Sequence, residues 1–195
     1  MLGSVDSSTA VEGERHLPGE FSMWVFVLGD MAFFAMYYVI FMVYRVHERS
    51  LFLASQRHLN LTIGAVNTLV LLTSSRFVAL GVQATRLGDR RRAARLVTGC
   101  ALCGAAFVLI KIFEWHSEIS RGYTLPRNDF FMFYYMLTGV HLFHVLLGMG
   151  ILAIALWELR RSGECRSWVV EAAATFWHMV DLLWVVLFAL VYVMR

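Results

Sequence analysis

The sequence predicts an all-α integral membrane protein, one bundle of five transmembrane helices, and three observations carry that reading. Of the 195 residues, 59% are hydrophobic and 16% charged, with a mean hydropathy of +0.63, whereas a soluble domain carries about 25% charged residues. Five stretches are apolar for the roughly 20 residues a bilayer core requires: 21–44, 61–84, 95–118, 130–157 and 171–194. Both prolines, Pro18 and Pro126, lie outside these stretches, which favours continuous helices over broken, transporter-type ones.

Residues 1–20 are polar, with Asp6, Glu12, Glu14 and Glu20. They read as a short mobile tail rather than a secretory signal peptide. The first span, 21–44, carries one ionisable residue inside it, Asp30. The second, 61–84, is largely apolar and includes Asn67, Thr68, Thr73, Ser74, Ser75 and Arg76, of which the small polar residues suit contacts between helices. The third, 95–118, holds the only lysine, Lys111, three residues before Glu114. That spacing puts the two on one helical face as an ion pair. Cys100 and Cys103 also lie in this apolar run and read as packing residues, not as a redox or zinc motif. The fourth span, 130–157, brings His141 and His144 one turn apart, and the last, 171–194, holds Trp177-His178-Met179-Val180-Asp181 and then Trp184. Connections are short, so 21–195 forms one domain of antiparallel neighbours.

Arginine in the loops sets the orientation. One side collects Arg15, Arg86, Arg90, Arg91, Arg92, Arg95, Arg160, Arg161 and Arg166; the other has Arg45, Arg49, Arg57, Arg121, Arg127 and Arg195. The positive-inside rule then places the N-terminus in the cytoplasm and the C-terminus outside. Arg90, Arg91 and Arg92 are also candidates for lipid head groups.

Ionisable groups inside a span are costly and mark function or specific packing. Three readings of Asp30, His141, His144, His178 and Asp181 stay open. They have the ligand types of a metal or haem site, although the paired Glu-x-x-His motifs of di-iron bundles are missing. They have the titratable types of a proton or ion path. They also suit interhelical hydrogen bonds that fix register, with Arg76 and Asp30 as a buried pair across helices.

Several stretches together resemble subunit III of the haem–copper (cytochrome c) oxidases. Trp177-His178-Met179-Val180-Asp181 with Trp184 is similar to that family's last helix, and Thr138-Gly139-Val140-His141-Leu142-Phe143-His144-Val145 to its T-G-x-H-x-x-H-V stretch. Asn67-Thr68 with Leu71, Leu72 and Ser74, Glu114-Trp115, Gly88-Asp89-Arg90 and Glu171 match further motifs in order. The resemblance spans 21–195 and is of the five-helix bacterial type. Asp30 stands where the family usually has a buried glutamate, and Arg76 where it has an uncharged residue. Phe130-Phe131-Met132-Phe133-Tyr134 and Tyr192-Val193-Met194-Arg195 are most similar to the branch associated with nitric oxide reductase.

The resemblance implies a non-catalytic subunit of a terminal respiratory oxidase in the bacterial inner membrane. It would hold no metal or redox centre of its own; haem and copper would sit in partner subunits I and II. It would bind phospholipid, and support oxygen access and sustained proton uptake by the haem-bearing subunit. Asp30, Glu114, His141, His144, Glu171, His178 and Asp181 would form its interior polar set. Membrane lipids, not nucleic acid, are the other expected partners. An accessory protein of nitric oxide reductase and an independent small transporter are the competing functions.

Overall fold

The computed structural model describes residues 21–57, 59–125, 128–161 and 166–194, with side chains from residue 23. The expected tail, 1–20, lies outside the described residues, as do Arg127 and Arg195. All regular structure among the described residues is helical: α1 (Phe21–His47), α2 (Arg49–Gln56), α3 (Leu61–Arg86), α4 (Arg90–Ser120), α5 (Asp129–Arg160) and α6 (Ser167–Phe188), which continues into a π-helical turn at Ala189–Val193. Five of these elements are long and apolar enough to cross a membrane: α1, α3, α4, α5 and α6 with its π turn.

The helices outrun the apolar segments by up to five residues, and side-chain caps set the starts of α3, α4 and α5. Asp89 accepts from the Arg92 amide at 2.9 Å and starts α4 at Arg90, so the arginine cluster is its first turn and not a loop. Asn60 caps α3 through the Thr62 amide at 3.0 Å, and Asn128 caps α5 through the Phe131 amide at 3.0 Å. These side chains satisfy amides that the first helical turn leaves without partners. Gly88, at φ 78°, reverses the chain between α3 and α4, where a side chain would be strained.

Helix α6 is the centre of the bundle. It packs on α3, α5 and α1, and α3 also lies along α4. More than half of its span is buried against under a fifth of α1's. Two tryptophans pin it: Trp177 Nε1 donates to Ser74 Oγ at 2.8 Å, and Trp184 Nε1 donates to Thr68 Oγ1 at 3.1 Å. Trp177 also fits between two glycines. A Cβ built on Gly104 or Gly148 would lie 2.7 or 2.9 Å from its ring.

Two elements were not expected from sequence. Helix α2 turns Phe52 into an edge-to-face cluster with Phe41 and Phe130, at 5.5 Å from each. The π turn ends α6, and a π turn disturbs the regular carbonyl ladder. Gln56 of α2 compensates by donating Nε2 to the carbonyls of Val191 at 3.1 Å and Leu190 at 3.3 Å.

Candidate functional site

The ionisable residues of the spans fall into separate groups, each built from two or three helices. The most enclosed centres on Lys111, 1% exposed, and Glu114 of α4. Lys111 Nζ donates to Glu114 Oε2 at 2.9 Å, to Tyr134 Oη of α5 at 3.1 Å and to Tyr192 Oη of the π turn at 2.8 Å. An ammonium has three protons, and all three are used. The Tyr192 hydroxyl donates to Glu114 Oε1 at 2.7 Å, so both carboxylate oxygens are satisfied. The ammonium also sits 4.8–5.4 Å from the ring centres of Tyr134, Trp184 and Tyr192, where cation–π attraction replaces part of its lost hydration. Glu118, one turn further along α4, is buried 3.6 Å from Arg121.

The second group joins α1 to α5. His144 Nε2 lies 3.2 Å from Asp30 Oδ2, and His144 Nδ1 lies 2.8 Å from the Val140 carbonyl. A carbonyl only accepts, so Nδ1 carries a proton. Asp30 and His144 thus form a facing pair across α1 and α5. It is partly open at the bundle surface, the two side chains being 20% and 11% exposed.

The third group lies where α3 meets α6. Ser75 Oγ and His178 Nδ1 are 2.7 Å apart on the exposed side. Asp181, one turn on, is turned inward and 5% exposed. Neither of its oxygens has a hydrogen-bond partner among the described residues. Asn67 and His141 share that condition. His141 is sealed between Phe107 and Trp184, with ring centres 5.7 and 5.1 Å away. Glu171 stands apart, at the start of α6, in a surface ion pair of 2.9 Å with Arg86.

These placements correct two expectations: Arg76 does not pair with Asp30, and His178 is exposed rather than interior. Asp30 is turned to His144 on α5, whereas Arg76 sits on the exposed face of α3 and makes no ion pair or hydrogen bond among the described residues. Spacing within one helix gave the Lys111–Glu114 contact, but pairing across helices depends on rotation about each axis, which the sequence leaves open. His178 and Asp181 likewise point to different sides of α6, one exposed and one buried.

Sequence reasoning missed Tyr134 and Tyr192 as partners of Lys111. The available signal was physical: a lone buried lysine has three donors, and a glutamate one turn away cannot take them all. A basic cavity of about 630 Å³ is lined by Arg91, Ala94, Arg95, Thr98 and Arg160. Of the cluster Arg90, Arg91 and Arg92, only Arg91 lines it; its companions come from the next turn of α4 and the end of α5. No group of three or more His, Cys, Asp or Glu gathers among the described residues in a way that could hold a metal ion.

The family model for cytochrome c oxidase subunit III matches residues 17–195. Cytochrome c oxidase subunit 3 of Thermostichus vulcanus is 28% identical over all of this chain and 98% of its own length. That of Synechocystis sp. is 30% identical over 99% of this chain and 85% of its own. Cytochrome bo(3) ubiquinol oxidase subunit 3 of Pseudomonas putida is 28% identical over 88% of this chain and 83% of its own.

Proposed function

The chain belongs to the cytochrome c oxidase subunit III family, and on that premise we propose that it joins a haem-bearing subunit I and a subunit II in a bacterial inner membrane. It is a non-catalytic, multi-pass membrane subunit of a terminal respiratory oxidase. The observation that carries this reading is the family match over 17–195, which takes in all five spans. Haem and copper then belong to the partner subunits. The relatives named above are oxidase subunits, which favours the oxidase over the reductase-accessory reading. The charge balance of the loops supports a cytoplasmic N-terminus. In that orientation the cavity of Arg91, Arg95 and Arg160 faces the cytoplasmic leaflet, where three guanidinium groups suit an anionic lipid head group.

Within such a complex, the polar interior has two physical roles. The Lys111–Glu114–Tyr192 group internalises its own charge and fixes α4, α5 and the π turn in register. The Asp30–His144 pair lies near the bundle surface, and a titratable group beside a proton entrance shifts the local field. Asp30→Asn keeps a polar side chain facing His144 and removes the acid; Asp181→Asn does the same at the unpartnered carboxylate. We expect both complexes to assemble with haem content unchanged, and to lose activity faster than wild type during sustained turnover. Equal inactivation kinetics in an intact complex would sink the proton reading and leave only packing. Purification from native membrane without haem-bearing subunits would overturn the oxidase reading itself.

A further inference from the structure

Arg76 is a full charge placed deep in a membrane span and pointed out of the bundle. It lies ten residues before Arg86, the end of α3, or about 15 Å along the helix. Helix α3 has 26 residues, about 39 Å, of which a hydrocarbon core takes about 30 Å. With the core centred on the helix, Arg76 stands about 10 Å inside its edge. Charges at such depth normally face a protein interior or a counter-ion. Two other deep charged groups follow that rule: Lys111 is enclosed with Glu114, and Asp30 faces His144. Arg76 is exposed and makes no polar contact among the described residues.

The surface around it is shaped for a helix. The exposed positions of α3 include Val66, Leu69, Thr73, Arg76 and Gln83, at the three- and four-residue intervals of a helix–helix seam. The exposed positions of α6 include His178, Leu182 and Val185, at the same intervals. The Ser75–His178 and Arg86–Glu171 contacts tie the two strips side by side. Arg76 and His178 thus make a polar centre in an apolar two-helix face.

We infer that this α3–α6 face is where a transmembrane helix of a partner subunit docks, carrying an aspartate or glutamate at the depth of Arg76. The occupant follows from the charge. A carboxylate at that depth cannot belong to a lipid, whose phosphates lie at the headgroup level. It must be carried by backbone whose own amides are satisfied in hydrocarbon, which means a helix. A second copy of this chain does not supply it from its described spans: Asp30 is engaged by His144, Glu114 by Lys111, and Asp181 is turned inward. The inference rests on the reading of the chain as a subunit of a larger membrane complex.

The test places a photo-crosslinking residue at Thr73, one turn from Arg76, in the full chain in its native membrane. A second probe at Leu109, on exposed α4, serves as the control. We expect the Thr73 adduct to map to one transmembrane segment of a partner, with an Asp or Glu within about a turn of the cross-linked atom. We expect its yield to fall at least tenfold with Arg76→Leu and to be largely kept with Arg76→Lys. Arg76 is exposed, so Arg76→Leu leaves the bundle's own packing intact, and helical content measured by circular dichroism checks this. Equal adduct yield with Arg76→Leu, adducts to lipid alone, or a partner segment without an acid overturns the inference. Haem content of the purified complex is read separately. A haem-bearing complex with lipid-only adducts removes the docking face and leaves the oxidase reading. An acid-bearing partner helix in a complex without haem supports the docking face and removes the oxidase reading.

Discussion

Lys111 donates three hydrogen bonds, to Glu114, Tyr134 and Tyr192, inside a wall of aromatic rings. A buried pair of this kind adds little net stability compared with an apolar substitute, yet losing one partner leaves the other charged and alone. Lys111→Met should therefore destabilise the chain by about 3–5 kcal/mol, measured by thermal unfolding in detergent. Lys111→Met with Glu114→Gln should recover a large part of that loss, since no charge is then stranded. A double variant as unstable as the single one would contradict the assignment. The pair was legible in sequence because three residues separate its members on one helix. The tyrosines were not, since Tyr134 and Tyr192 come from distant positions and meet Lys111 only after α5 and the π turn have packed.

The helices themselves were legible, because each is an uninterrupted apolar run of the right length. Their ends were misplaced by up to about five residues, as with α4, where Asp89 starts the helix within the arginine cluster. Helix α2 was missed because eight residues give little periodicity, and the π turn because its local sequence differs in no evident way from the α-helix before it. The closeness of α4, α5 and α6 was equally hidden, being set by two particular glycines. Gly104→Ala would put a methyl group 2.7 Å from the Trp177 ring, and overpacking of that kind costs about 1–3 kcal/mol. Gly150→Ala on the same α5 as Gly148 meets nothing within 4 Å and should be neutral or gain up to about 1 kcal/mol from helix propensity. Unfolding midpoints of the two variants should move in opposite directions or differ clearly in size.

At the scale of the whole molecule, the sequence foretold a polar interior but not its partition. Asp30, Glu114, His141, His144, Glu171, His178 and Asp181 were read as one set, and the bundle divides them by helix rotation. Glu114 is locked with a cation, Asp30 faces His144, Glu171 meets Arg86 at the surface, and His141 and Asp181 are buried without hydrogen-bond partners among the described residues. Arg76 went astray for the same reason, since nothing in one helix's sequence says which neighbour its charged side will face.

The Gln56 contacts join positions 134 and 135 residues apart in the chain. A ribosome adding about 5–20 residues per second leaves α2 waiting on the order of ten seconds for the carbonyls it will hold. During that interval α2 lacks these two contacts, and the Ala189–Val193 turn supplies them. A nascent chain arrested before residue 189 should be cut readily within Arg49–Gln56, and the released full-length chain should resist. Cleavage kinetics on arrested and completed chains would measure this, and equal resistance in the two would show that the loop settles without its distant partner.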